Sequence, residues 1–442
     1  MVKNASANDI AVKIDNAMAK AEERNPTLKG ALPLNHFSTL GADLRSVKDL
    51  IDSINLISEE RFHEEDLIGR VYEYFLQAFA VSASKEDGEF YTPANVVQLI
   101  AELIEPYEGV VYDPCCGSGG MFVQSHKFVE KHQGNTTAIC VVGQESNSDT
   151  WRLCKMNLAI RGISNNLGAK AASSFTEDQH KDKKVDFIMA NPPFNLKDWR
   201  DDNELLQDPR WRGYEVPPVA NANYAWILHM LSKLDVDHGV AGFLLANGAL
   251  NADGIEGNIR QKLLENDKVE AIIVLPRDMF YTTDISVTLW IVNMNKDEQT
   301  LRGRKLRDRR GEVLFVDLRT WDTNTEEYKI DKNKKKKKVV LTPDQIQEVQ
   351  ALYHSWQEKD SEYKNIPELC ASIRIDDADG LIDNGYSLAP SKYIEFIDRD
   401  LGIDYEKEMT RIQNEMRNLM KMEKESQAML EAAFEGIGHG IN

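Results

Sequence analysis

The sequence predicts an α/β fold in which a mostly parallel sheet, covered on both faces, sits between a helical start and a helical end. Three observations predict it. From Val110 onward, short apolar runs alternate with amphipathic stretches, the signature of strand and helix in turn. One of those runs ends in an acid followed at once by a glycine turn and a new helix, Asp113 to Met121. The two ends of the chain carry apolar residues at helical spacing and no strand-like runs.

In chain order, residues 1–84 read as a helical region. Ile10, Val12, Ile14, Met18 and Ala21 recur at helical spacing, and Leu67 to Phe79 is rich in Leu, Tyr and Phe. Ser82 to Gly88 reads as a linker. Residues 85–330 read as the catalytic domain. Its expected strands are Val110–Tyr112, Ala138–Val142, Val185–Ala190, Val240–Leu245, Ala271–Leu275, Val287–Val292 and an added Val313–Val316. Its expected helices are Met121–Lys131, Asp149–Arg161, Tyr224–Val236 and Gly257–Asn266. Parallel strands joined this way imply right-handed crossovers. Residues 331–397 read as a linker with a small helical or irregular region, including a helix near Pro343–Trp356. Residues 398–442 read as a helix carrying Tyr405, Met409, Ile412, Met416 and Leu419 at heptad-like spacing with charges between, suited to packing on its own domain or on a partner helix.

Composition narrows the class. The chain has 442 residues, 42% hydrophobic and 28% charged, which is globular in character. Fifty-three Lys and Arg stand against 72 Asp and Glu, a net charge of −19. That balance argues against a free-standing DNA binder, since duplex binding rests on neutralising phosphates. The basic islands Lys181–Lys184, Arg302–Arg310 and Lys332–Lys338 read first as solvated loops. No run of about 18 apolar residues is present, so no membrane span is expected. Five scattered cysteines fit neither a disulfide framework nor a metal site, and a reducing cytoplasm is expected.

Chemistry concentrates at two places. The first is Val110-Val111-Tyr112-Asp113-Pro114-Cys115-Cys116-Gly117-Ser118-Gly119-Gly120. Glycines let a backbone approach a ligand closely, and a helix start presents free N–H groups. Glu145 closes the next expected strand, about where such folds hold a ribose. A carboxylate at the turn would repel a pyrophosphate but suits a cationic ligand such as S-adenosylmethionine, which carries an ammonium and a sulfonium. The second place is Asn191-Pro192-Pro193-Phe194, directly after the run Val185–Ala190. Two prolines remove amide donors, so the surrounding carbonyls and the Asn191 side chain are free to accept from an exocyclic amine. Phe194 can stack on a planar base.

At these residues the chain resembles the N6-adenine DNA methyltransferases, and more narrowly the methylation (M) subunits of type I restriction-modification systems. Further stretches carry the resemblance: Asp66 to Phe75, Gly88-Glu89-Phe90-Tyr91-Thr92-Pro93, Lys268 to Pro276, Met279 to Tyr281, Thr288 to Trp290, and Leu401 to Glu406. The resemblance implies a Rossmann-like S-adenosylmethionine-dependent methyltransferase sheet and methyl transfer to N6 of a flipped-out adenine in DNA. It assigns Glu89, Phe90, Tyr91, Thr92, Pro93, Ala94, Asp113, Gly117, Ser118, Gly119, Gly120 and Glu145 to the cofactor. It assigns Asn191, Pro192, Pro193 and Phe194 to the target base, and no metal. It implies DNA, a separate specificity (S) subunit and a restriction (R) subunit as partners, with two M subunits per S subunit and no membrane. Fuller members of that family carry another helical segment ahead of the position of residue 1.

Two positions depart from the family's pattern. Ala172-Ser173-Ser174-Phe175 stands where Gly-Asp or Gly-Asn usually precedes Ser or Thr, so the acid expected at the cofactor's adenine is missing. Leu245-Ala246-Asn247-Gly248 stands where Leu-Pro-x-Gly is usual. The loop carrying Trp199, Arg200, Arg210, Trp211, Arg212 and Tyr214 is expected either to close over the flipped base or to be pinned by its own aromatics. Two competing readings stand beside the main one: a methyltransferase acting on protein glutamine, and a cofactor-binding assembly subunit without activity.

Overall fold

The computed structural model describes residues 9–39, 45–56, 69, 71–76, 92–281, 284–329, 335–397 and 405–436. Two compact units result, Met1–Glu395 and Phe396–Asn442.

The first unit is built on a nine-stranded sheet in the order β13-β10-β6-β7-β5-β4-β1-β2-β3. The strands are β1 (Gly109–Asp113), β2 (Ile139–Gly143), β3 (Asn165–Asn166), β4 (Phe187–Ala190), β5 (Val240–Ala246), β6 (Val269–Val274), β7 (Val287–Asn293), β10 (Glu312–Asp317) and β13 (Cys370–Arg374). Two hairpins, β8 (Gln299–Leu301) with β9 (Arg304–Leu306) and β11 (Thr325–Lys329) with β12 (Lys335–Val339), stand outside it. β1 pairs in parallel with both β2 and β4, and β4 in parallel with β5. β7 runs antiparallel between β5 and β6. The chain between β6 and β7 holds no helix among its described residues. It reverses direction without a crossover, and a hairpin-like return must pair antiparallel.

Alternate residues of each central strand enter different cores, as a period of two requires. Val111, Leu244, Ile273 and Leu289 join one cluster with helices Ala94–Ile104, Gly120–Lys131 and Pro343–Gln357. Tyr112, Phe243, Ile272 and Trp290 join the other with helices Asn223–Lys233 and Gly254–Glu265. Both faces are therefore buried, which is why these strands read as unbroken apolar runs.

One expected boundary is corrected. The sequence places residues 331–397 beyond the catalytic domain, as a linker and small helical or irregular region; the helix near Pro343–Trp356 is present, and it is the separation from the sheet that differs. β13 instead pairs antiparallel with β10 across five residue pairs, Glu312 with Arg374 through Val316 with Cys370. Helix Pro343–Gln357 buries Ile346, Val349, Tyr353 and Trp356 in the same core as helix Ala94–Ile104. Its start is fixed by a capping box, Thr342 with Gln345, and Pro343 in the first turn.

At the N-terminus, helix Ile10–Arg24 buries Ile10 and Ile14 against Phe37, Val47 and Ile51. Of the apolar stretch 67–79, residues 69 and 71–76 are described and are helical. The second unit is helix Tyr405–Gly436, whose Tyr405, Ile412, Met416, Leu419, Met420 and Met422 are exposed.

Candidate active site

β1 and β4 are hydrogen-bonded neighbours that run in the same direction. In the register that pairs Val111 with Phe187 and Tyr112 with Ile188, Asp113 stands opposite Met189, and Asn191 follows just beyond at the same carboxyl edge of the sheet. This edge is where open α/β sheets place their ligands.

After Asp113 the chain turns through Gly117 (φ 51°) and Gly119 (φ 84°) before helix Gly120–Lys131 begins. At Gly119 a Cβ would meet Cys154 Sγ at 2.9 Å, so left-handed backbone and crowding both require glycine. At Gly117 and Gly120 a Cβ would meet nothing within 4 Å. These two glycines open onto a cleft of about 630 Å³, including its solvent-open part, lined by Thr92, Asp113, Gly117, Ser118 and Asn191. The turn is sewn to the end of β2: Gln144 N–H donates to the Asp113 carbonyl and Cys116 N–H to the Gln144 carbonyl, both at 3.0 Å. Cys116 and Cys154 are buried, with sulfurs 3.8 Å apart, and pack beneath the turn.

Electrostatics favour a cation. Asp113 is 2% exposed and accepts from Cys115 N–H at 3.0 Å. Burial pushes its carboxyl up to about 7, against the opposing pull of that N–H. Glu145 stands behind the turn: it accepts from Gly117 N–H at 3.0 Å and Asn147 N–H at 2.8 Å. Burial raises it too, partly offset by those amides. Two carboxyl groups at one loop repel an anionic ligand and attract a cationic one.

The Asn191 side chain is held at one end only. Its Nδ2–H donates to Thr92 Oγ1 at 3.0 Å. Its Oδ1 is buried and has no hydrogen-bond partner among the described residues. A buried acceptor left open is costly, of order 1–3 kcal/mol, and calls for a functional explanation. The next two residues are prolines with no N–H to offer, so the local backbone cannot satisfy it. Pro192 is buried, Pro193 and Phe194 half-buried, and Asn195 N–H donates to Asn223 Oδ1 at 3.0 Å, fixing the loop that follows.

The structure thus brings Thr92, Ala94, Asp113, Gly117, Ser118, Gly120 and Asn191 to one cleft. Pro93 caps the helix that begins at Ala94, and Gly119 lies under the turn. Glu145 reaches the site through Gly117 and does not line the cleft. Glu89, Phe90 and Tyr91 lie outside the described residues. The sequence reading missed Gln124 and Asn157, which also line the cleft. Asn157 Nδ2 donates to the Ser118 carbonyl at 2.7 Å. Its place on helix Ser148–Ile160 carried no sequence signal, because a polar residue on an amphipathic helix is ordinarily solvent-facing.

At the first departure, Ala172 N–H donates to the Glu145 carbonyl and Gln144 Nε2 to the Ala172 carbonyl, so this loop packs beside the turn without an acid of its own. The next buried acid, Asp178, is consumed by Lys233 at 2.6 Å. At the second, Asn247 Oδ1 accepts from Thr288 Oγ1, tying β5 to β7.

The aromatic loop is pinned by its own side chains. Trp199 and Trp211 are buried, and Trp199 packs on Phe175 and Trp211. Arg200 caps the carbonyls of Asp201, Asp202, Glu204 and Pro217, while Arg210 holds Asp208 and the carbonyls of Ser174 and Phe175. Of the expected group, only Arg212 is exposed. The Arg302–Arg310 island is likewise structural, with Arg304 on Glu105, Arg307 on Glu312 and Arg309 on Glu270.

Comparisons with known proteins agree with this geometry. Residues 63–400 match the family described as N-6 DNA Methylase. The chain is 36% identical over 439 residues to the type I restriction enzyme HindI methylase subunit of Haemophilus influenzae, covering 97% of this chain and 93% of that protein. It is 31% identical to the MjaIX methylase subunit of Methanocaldococcus jannaschii, covering 99% of this chain and 75% of that one. A solved type I restriction-modification methyltransferase subunit from Streptococcus thermophilus superposes with a TM-score of 0.71 at 22% identity, over 87% of this chain and 77% of that one. With a strand-end acid and glycine turn beside an open asparagine acceptor, and a family match over most of its length, this chain belongs to the N-6 DNA methylase family.

Proposed function

We infer that this chain transfers a methyl group from S-adenosylmethionine to N6 of an adenine in DNA, as the modification subunit of a type I restriction-modification complex. The observation that carries this reading is the buried Oδ1 of Asn191, without a partner among the described residues and lining a cleft that also holds Asp113. The residues present fit the cofactor: a buried carboxylate for its ammonium, and glycines where side chains would intrude.

When bound, S-adenosylmethionine supplies an electrophilic methyl group on a sulfonium. The chain's residues then do three things. Asp113 orients the cationic end. Asn191 Oδ1, with the carbonyls around Pro192 and Pro193, accepts the two N–H bonds of the adenine amine and turns its lone pair toward the methyl. Phe194 supplies a face on which the flipped base stacks. An adenine inside a duplex cannot present N6 this way, so the base leaves the stack. The amine is itself the nucleophile, so Cys115 and Cys116 need no covalent role.

Labelled methyl transfer to DNA, measured with and without the specificity subunit, tests the reading. Transfer to DNA only in the complex is expected; transfer to protein instead would select the glutamine reading.

Cofactor affinity should rise with pH. A cationic ligand binds the ionised form of Asp113, whose carboxyl titrates near 7 in the free chain. Between pH 6 and 7.5, below the range of a typical α-amino group, affinity should increase by about eightfold. Asp113→Asn should be weak and nearly flat across that range when measured by calorimetry.

The specificity subunit reads the DNA and docks on helix Tyr405–Gly436, whose exposed Ile412, Met416 and Leu419 form an apolar stripe among charges. A restriction subunit joins the same assembly, with two M subunits per S subunit, acting on cytoplasmic DNA. Deleting residues 396–442 should abolish co-purification with the specificity subunit while cofactor affinity stays within about twofold, because Asp113 and Asn191 lie in the other unit. Retained co-purification would move the docking site elsewhere.

A further inference from the structure

The segment at Thr92 carries a second role beyond the cofactor contact that its motif implies. An asparagine amide has two unlike ends. Only the carbonyl end can accept from an amine; the NH₂ end would face the substrate's N–H bonds as donor against donor. The two ends have nearly the same shape, so packing alone does not choose between them. A partner that holds one end sets where the other end stands; a hydroxyl can hold either end, and the arriving amine, a donor only, then selects the carbonyl.

In this chain that partner is Thr92. Its Oγ1 accepts from Asn191 Nδ2 at 3.0 Å across 99 residues of sequence. Oδ1 is thereby left facing away from Thr92, buried and without a partner among the described residues. The residues after Asn191 are prolines and offer no backbone donor to compete. Thr92 is itself anchored: Pro93 follows, Val96 and Val97 N–H donate to the Pro93 carbonyl, and helix Ala94–Ile104 is buried along most of its length.

We propose that Thr92 is the positioning residue of the target amide: its hydroxyl fixes the Asn191 side chain with Oδ1 presented to the adenine amine. This rests on the reading of Asn191 given under Proposed function. Thr92 lines the same cleft as Asp113, so the bond also ties the ordering of the cofactor cleft to the ordering of the base grip.

The test uses the full chain with its specificity subunit, labelled S-adenosylmethionine, and amplified genomic DNA, which carries no prior methylation. Thr92→Val replaces the hydroxyl with a methyl of similar size; Thr92→Ala serves if that variant does not fold. The expected result, measured at saturating cofactor so that any weakening of the cofactor contact does not enter, is a kcat lower by roughly ten- to hundredfold with the DNA KM within about twofold of the parent. Thr92→Ser, which keeps the hydroxyl, should recover most of the lost kcat. An unchanged kcat in Thr92→Val would overturn the proposal. So would a loss confined to cofactor Kd, which would make Thr92 a cofactor contact only, or a Thr92→Ser variant as defective as Thr92→Val. Asn191→Ala run in parallel separates the two readings. If it stays active, the role of Asn191 fails; if it is inactive while Thr92→Val is fully active, only the role of Thr92 fails.

Discussion

Asn191→Ala should abolish methyl transfer, lowering kcat by at least about a hundredfold, while cofactor affinity stays within about twofold. The effect is large because Oδ1 acts only when the target amine is present, so its loss falls on the transition state and not on ground-state binding. The fold should tolerate the change. Among the described residues Asn191 makes a single side-chain hydrogen bond, to Thr92, a loss of about 1 kcal/mol. Single-turnover kinetics with calorimetry check this. Cofactor binding lost with the fold intact would reassign Asn191 to the cofactor.

Glu270→Ala should be the most destabilising of the single changes considered. Glu270 in β6 and Arg309 are both fully buried and joined at 2.8 Å, and Asn293 and Gln357 also donate to the carboxylate. Burial alone would raise the Glu270 carboxyl, but Arg309, Asn293 and Lys296 together hold it below its usual 4.5. Its contribution is therefore present above that value and is lost as pH falls through the lower folded one. Removing the carboxylate strands a guanidinium in the core, at a cost of about 3–5 kcal/mol. A fall in Tm of roughly 5 °C is expected for a unit of this size. Replacing both residues, Glu270→Met with Arg309→Met, should restore much of the loss, because the penalty arises from the unpaired charge. A Glu270→Ala variant with parental Tm would contradict the role of this pair.

Much of the fold was legible because its strands are buried on both faces. Val185–Ala190, Val240–Leu245 and Val287–Val292 stand out as apolar runs for that reason, and the observed strands fall within a few residues of them. Strand direction was not legible. β7 reverses because of how the chain returns from β6, and no property of Val287–Asn293 itself announces it. β13, Cys370-Ala371-Ser372-Ile373-Arg374, was missed because an edge strand with one face half-exposed mixes polar and apolar residues and resembles a loop. The boundary drawn at 330 followed from the same omission. β3 is two asparagines, too short and polar to be read as a strand.

In the site, Asp113 and Asn191 were legible because each closes a strand and is followed by residues with special backbone properties, glycine in one case and proline in the other. Their meeting was not, since it depends on β1 and β4 being neighbours despite the 73 residues of sequence between Asp113 and Phe187. The Thr92 bond was hidden for the same reason. The aromatic loop shows the converse: tryptophans and arginines beside a base-binding motif invite a nucleic-acid reading, yet their ring nitrogens and guanidinium groups are largely occupied by backbone carbonyls.

The most direct test of the central claim is mass spectrometry of nucleosides from amplified DNA incubated with the chain, its specificity subunit and S-adenosylmethionine. N6-methyladenine is expected with the parent chain and none above background with Asn191→Ala. Absence of N6-methyladenine with the parent chain, or its appearance at equal levels with Asn191→Ala, would contradict that claim.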